Sequence, residues 1–123
     1  MALRLLLVDK SAYVRGTLDT SPEDELCLCA VTRLELLYSA RSQRSYVQLE
    51  EDLRLFRDLR IDAETFATAL AAQRELAAGG RHRVPIPDLL IAACAQQHGA
   101  DVVHVDRHFD TLAEVLAFTP LRR

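Results

Sequence analysis

Four carboxylates stand where a fold could bring them together. Asp9 ends the apolar run Leu-Arg-Leu-Leu-Leu-Val that begins at Leu3, and Asp106 ends the run Val102–Val105. Glu35 lies in the stretch Thr-Arg-Leu-Glu that starts at Thr32, and Asp88 directly follows the stiff segment Pro85-Ile86-Pro87. Each has an ordinary local explanation. An acid after a strand starts a turn, Thr32-x-x-Glu35 spells a helix capping box, and an acid in a first helical turn is favoured by the helix dipole. Taken together they say more. Carboxylates gathered on one rim repel one another unless a cation neutralises them. An all-acid oxygen set suits Mg²⁺ or Mn²⁺ rather than zinc. Ions held that way activate a water and stabilise the leaving oxygen of a phosphodiester.

Other chemistries find less support. Ser11 has no Ser-His-Asp context, and no Gly-x-Ser-x-Gly is present. His82, His98, His104 and His108 are not spaced as a zinc set; His104 reads as a packed strand residue, while His108, two residues past Asp106, is within reach of substrate or metal. Cys27, Cys29 and Cys94 read as buried thiols, being too few and too scattered for a disulfide framework or a metal site. Nucleotide binding lacks both a Gly-x-Gly-x-x-Gly and a Walker A run. A phospho-acceptor receiver domain needs paired acids after its first strand, yet Lys10 follows Asp9. A haloacid-dehalogenase-type phosphatase needs Asp-x-Asp, yet Ser11 stands two after Asp9.

The acids need elements that aim them at one place. Leu3–Val8 is apolar except for Arg4 and reads as a strand buried on both faces, which belongs to a parallel sheet covered by helices. A short helix follows from Ser11 to Leu18 with Ser11 as N-cap, then a loop or helix start over Asp19–Glu25. Leu26–Val31 is a second strand, with Cys27 and Cys29 on one face, and Thr32 opens a helix to about Ala40. After a polar break at Arg41–Ser45, Leu49, Leu53, Phe56 and Leu59 recur at helical spacing over Tyr46–Leu59. A short strand fits around Leu59–Ile61. Asp62 caps a helix over Ala63–Ala78 that Gly79-Gly80 closes. These two helices are expected to pack as a hairpin with apolar surface left over for a dimer. The basic loop Arg81–Pro87 ends in prolines that start a helix near Asp88, running Leu89–His98 and stopping at Gly99. Val102–Val105 is a strand, Phe109–Leu116 a short helix, Phe118–Leu121 an edge strand and Arg122-Arg123 a basic tail. Strands alternating with helices give a single domain over 1–123, a three-layer α/β/α fold around a mainly parallel sheet. Such sheets bind ligands beyond the carboxyl ends of their strands, which is where Asp9 and Asp106 emerge.

Half of the 123-residue chain is apolar, which excludes disorder. No apolar run approaches the roughly 18 residues of a membrane span, and the N-terminus does not read as a signal peptide. The expectation is a cytoplasmic protein with no membrane association. The net charge of −3 argues against a constitutive nucleic-acid binder, although two divalent ions would turn it to about +1. Of 15 basic residues, 14 are Arg, the side chain suited to bidentate contact with phosphate.

Four segments, in order, carry a family resemblance: Leu-Leu-Val-Asp-Lys-Ser-Ala from Leu6, Thr-Arg-Leu-Glu-Leu-Leu-Tyr-Ser-Ala from Thr32, Pro-Asp-Leu-Leu-Ile-Ala-Ala from Pro87 and Val-Asp-Arg-His-Phe from Val105. Together they resemble PIN-domain ribonucleases, and among these the VapC toxins of bacterial toxin–antitoxin pairs. The resemblance implies that Asp9, Glu35, Asp88 and Asp106 form the acidic quartet that binds Mg²⁺ or Mn²⁺, with Ser11 as the supporting hydroxyl. It also implies cleavage of single-stranded RNA, a homodimer, and a cognate antitoxin that wraps the toxin. The last motif departs from the family's Thr-x-Asp-x-Asp-Phe: His104 replaces the Thr and His108 the second Asp. Lys10 takes the place of a common Thr after the first acid.

On this reading the chain is a metal-dependent endoribonuclease. Asp9, Glu35 and Asp88 hold the principal ion, and Asp106 joins directly or through water. Water attacks phosphorus in line and leaves a 5′-phosphate and a 3′-hydroxyl. Lys10, Arg81, Arg83 and Arg107 are candidate contacts to the RNA backbone, and His108 is a candidate contact to substrate. The alternative is a catalytically inactive PIN-like module that only binds a partner, which the altered last motif leaves open.

Overall fold

A strand in the middle of a sheet must be apolar on both faces, and Leu6, Leu7 and Val8 of β1 (Arg4–Val8) are all buried. The computed structural model describes residues 3–16, 18 and 20–122. The other strands are β2 (Asp24–Leu28), β3 (Arg57–Asp58), β4 (Asp101–His104) and β5 (Pro120–Arg122). They form one fully parallel sheet in the order β3-β2-β1-β4-β5, so β5 is an edge strand as expected. Leu7 pairs with Cys27 of β2 and with Val102 of β4.

Successive side chains of a strand point to opposite faces, and that alternation builds two cores. Leu6, Val8, Leu28 and Val103 pack with Ala12 of α1 (Lys10–Arg15), Leu36 of α2 (Ala30–Tyr38) and Leu53 of α3 (Gln43–Leu53). Leu7, Cys27 and Val102 face the other way. They meet Ala72 and Leu76 of α4 (Ala63–Ala78), Ile91 and Ala95 of α5 (Ile86–His98), and Phe109 and Leu112 of α6 (His108–Leu112). This is the three-layer α/β/α arrangement. Among the described residues no helix is long and apolar enough to cross a membrane.

The chain lays down β1, β2 and β3 in one direction and then returns to place β4 on the free side of β1. The direction of growth reverses between β1 and β4, which opens a crevice at the carboxyl ends of those two strands.

Several boundaries differ from the sequence reading, each for a local reason. The N-cap of α1 is Asp9, not Ser11, because the Asp9 carboxylate accepts the Ser11 N–H at 3.0 Å. The helix stops at Gly16, which takes φ +70°, rather than at Leu18; Thr17 and Asp19, which fall in the expected helix and loop, lie outside the described residues, as does Arg123 of the basic tail. β2 ends at Leu28, so Cys29 is an N-cap residue rather than a strand residue, although it shares a core with Cys27. α2 therefore starts at Ala30, with Thr32 inside the helix and buried, and no capping box joins Thr32 to Glu35. α3 starts inside the expected polar break because Ser42 and Ser45 cap each other reciprocally. It ends at Leu53, and the short strand falls at Arg57–Asp58 rather than Leu59–Ile61. α4 spans Ala63–Ala78 from its Asp62 cap as expected. It packs along α5, however, while α3 sits against α2 on the opposite face, so the expected hairpin of α3 and α4 does not form. Pro85 caps α5 with Pro87 in its first turn, which starts the helix two residues before Asp88.

Candidate metal centre

One hydroxyl ties the tips of β1 and β4 together. Ser11 Oγ donates to Asp9 Oδ2 at 2.6 Å and accepts the Val105 N–H at 3.1 Å. The Asp9 N–H in turn donates to the Val103 carbonyl at 3.0 Å. Asp9 is thus held by both strands and by the start of α1, and it is buried. Asp106, two residues beyond β4, accepts the His108 N–H on Oδ1 at 3.0 Å, the turn that begins α6. Asp88 is the third residue of α5, yet its partner is a side chain from elsewhere rather than a backbone N–H of its own helix: His108 Nδ1 lies 3.0 Å from Asp88 Oδ2. The same Nδ1 is 2.8 Å from Asp106 Oδ1. Glu35 comes from the second turn of α2.

A cleft of about 380 Å³ opens over these groups, lined by Asp9, Lys10, Ser11, Val14, Arg15, Glu35, Asp88, Val105 and Asp106. All four acids meet there. Size alone does not pick it out: a depression of about 500 Å³ on α4, lined by Leu70, Ala71, Gln73, Arg74, Ala77 and His82, holds no carboxylate. Charge does. Burial pushes the Asp88 carboxyl up to about 7, and the charges of Asp9 and Asp106 push the same way while His108 opposes them. Glu35 is also raised, first by burial and then by Asp9, with Lys10 opposing. Asp9 therefore acts on both Glu35 and Asp88, and Asp106 on Asp88, so the acids form one electrostatic unit. Hard oxygen donors whose mutual repulsion already resists ionisation fit a hard divalent ion such as Mg²⁺ or Mn²⁺.

The other singled-out residues scatter. Lys10 and Ser11 line the cleft. Arg81 pairs with Glu114 at 2.6 Å; neither it nor the exposed Arg83 and Arg107 line the cleft. His108, read as within reach of substrate or metal, lies between Asp88 and Asp106, its Nδ1 close to a carboxylate oxygen of each. His104 is fully buried against the Phe109 ring at 5.1 Å, with neither ring nitrogen hydrogen-bonded, and burial lowers its basicity. Val14 and Arg15 were not singled out. Their signal is helical spacing, because each stands four residues after Lys10 or Ser11 and so shares their face of α1.

The family model for the PIN domain matches residues 5–115. The chain belongs to the PIN-domain family. This PIN domain is 39% identical over 116 residues to Ribonuclease VapC17 of Mycobacterium tuberculosis, across 89% of this chain and 87% of the relative. It is 41% identical over 122 residues to Ribonuclease VapC51 of the same organism, across 94% and 89%. Among solved structures it resembles a member of the VapBC family of toxin–antitoxin systems, VapBC-5 from M. tuberculosis. That match has a TM-score of 0.75 and 25% identity, over 97% of this chain and 98% of the other.

Proposed function

We propose that this PIN domain is the toxin of a toxin–antitoxin pair: a cytoplasmic endoribonuclease that uses Mg²⁺ or Mn²⁺ to hydrolyse phosphodiester bonds in single-stranded regions of RNA, until a cognate antitoxin covers it. The observation that carries this reading is the meeting of Asp9, Glu35, Asp88 and Asp106 on one cleft, with the Asp88 carboxyl held up to about 7. The ribonuclease names of the relatives and the toxin–antitoxin complex among similar structures support it.

Asp9, Glu35 and Asp88 would hold the principal ion, with Asp106 joining them. When bound, the ion supplies Lewis acidity at the scissile phosphate and lowers the pKa of water. Ser11 fixes the Asp9 carboxylate through two hydrogen bonds to Oδ2, one from its hydroxyl and one from its N–H. A carboxylate of the rim accepts the proton of the attacking water. Lys10 and Arg15 offer positive charge to the RNA backbone at the cleft wall. In-line attack leaves a 5′-phosphate and a 3′-hydroxyl. Apolar side chains left exposed on α2 and α3 (Leu34, Tyr38, Val47) and on α4 and α5 (Phe66, Leu70, Ile86) give the antitoxin and a second copy of the chain surfaces to cover.

Incubation of the purified protein with single-stranded RNA in Mg²⁺, Mn²⁺ or EDTA tests the reading. Cleavage is expected in metal and lost in EDTA. Asp9→Asn is expected to lower it by about a hundredfold or more with an unchanged circular dichroism spectrum. An Asp9→Asn variant that cuts as fast as its parent would remove Asp9 from the site. Absence of any metal-dependent cleavage would favour the inactive partner-binding module, a reading supported by His108 already standing between Asp88 and Asp106.

A further inference from the structure

Taking the rim as the metal site proposed above, we propose that His108 is a nitrogen ligand to the bound ion and biases this PIN domain toward a first-row transition ion, Mn²⁺, over Mg²⁺. Asp88, Asp106 and His108 each present one donor atom, and the three lie within 4.8 Å of one another. His108 Nδ1 is 3.0 Å from Asp88 Oδ2 and 2.8 Å from Asp106 Oδ1. Adjacent ligands on an octahedral ion with bonds of about 2.1 Å stand about 3 Å apart, so both spacings already match a shared edge. The imidazole is also anchored. Its own backbone N–H bonds Asp106 Oδ1 at 3.0 Å, which sets its residue at the first position of α6. The donor set of Asp88, Asp106 and His108 is therefore mixed nitrogen and oxygen, with His108 behind the two carboxylates rather than on the cleft wall. Mg²⁺ keeps to oxygen ligands, whereas imidazole suits the later first-row ions best and Mn²⁺, at the weak end of that series, takes it as a minor donor beside carboxylates.

The same contacts also suit a histidine that merely fills the place of the ion, and the two roles differ in sign. A filler lowers the affinity for both ions, and its removal strengthens both alike. A ligand contributes to one ion selectively. Calorimetry with Mn²⁺ alone and Mg²⁺ alone, on the full chain and on His108→Asp, reads the affinity ratio. Spin-echo spectra of the Mn²⁺-loaded protein read directly bound nitrogen. The parent is expected to show nitrogen hyperfine coupling that His108→Asp abolishes, and the Mn²⁺ to Mg²⁺ affinity ratio is expected to fall about tenfold in that variant. No coupling in the parent, coupling that survives in His108→Asp, or an unchanged ratio would each overturn the assignment. The acids would remain ligands in those cases, which Asp88→Asn reports by weakening both ions. If neither ion binds the parent, the metal reading itself falls, and the role of His108 with it.

Discussion

Asp88→Asn is expected to stabilise the metal-free protein while disabling it. In an unfolded chain this carboxyl titrates near 4, but burial and the neighbouring charges of Asp9 and Asp106 raise it to about 7 in the fold. Between those values the folded state keeps a proton that the unfolded state has released, so stability falls as pH rises from about 4 to about 7 and then levels off. At about 1.4 kcal/mol per pH unit, the ionised group costs the fold up to about 4 kcal/mol, a net in which the opposing pull of His108 is already included. Asn has nearly the same shape and carries no charge, so it removes most of that cost. In EDTA at pH 8 the variant is expected to melt roughly 10 °C higher than its parent. At pH 5 the parent's folded Asp88 is protonated but most of its unfolded chains have released that proton, so about a third of the gap should remain, roughly 3–4 °C, and it should close only near pH 4. Added Mn²⁺ should then raise the melting temperature of the parent and hardly move the variant. Thermal melts at both pH values, with and without metal, decide the matter. A variant that melts at or below its parent at pH 8, with a gap that does not change with pH, would refute the view that Asp88 is held ionised against its neighbours.

Two further substitutions separate the site from the scaffold. Ser11→Ala removes the hydroxyl that joins Asp9 Oδ2 to the Val105 N–H; urea titration should show a loss of about 1–2 kcal/mol, and RNA cleavage should fall about tenfold, with Ser11→Thr restoring most of both. Ser42→Ala removes the reciprocal cap of α3, away from the cleft; it should cost about 1 kcal/mol of stability and leave the cleavage rate unchanged. Equal loss of activity in Ser42→Ala and Ser11→Ala would mean that cleavage tracks stability rather than the aim of Asp9.

The sequence by itself determined which segments are buried and of what kind. Leu6, Leu7 and Val8 are apolar in succession, which a strand covered on both faces accommodates, and they form the central strand. Asp62 before Ala63 and Gly79-Gly80 after Ala78 mark both ends of α4, because caps answer to residues within one turn. Asp9, Glu35, Asp88 and Asp106 were legible as candidates for the same reason: each ends a strand or follows the start of a helix. Whether a cap or a shared cleft claims each acid was not legible. Thr32-x-x-Glu35 is an equally good capping box on paper, and only the end of β2 at Leu28 starts α2 early enough to bury Thr32 inside the helix. His108, two residues past Asp106, reads as within reach of substrate or metal, and only the convergence of α5 with the turn after β4 sets its ring between Asp88 and Asp106. Arg81 and Arg15 look alike as cations in the sequence. One is drawn to Glu114 and the other lines the cleft, because a long flexible side chain answers to whatever charge the fold brings near it. Local pattern encodes period and burial. The return of the chain to the free side of β1 is encoded by nothing local, yet that return brings Ser11 to Val105 across 94 positions and sets four separate acids around one cleft.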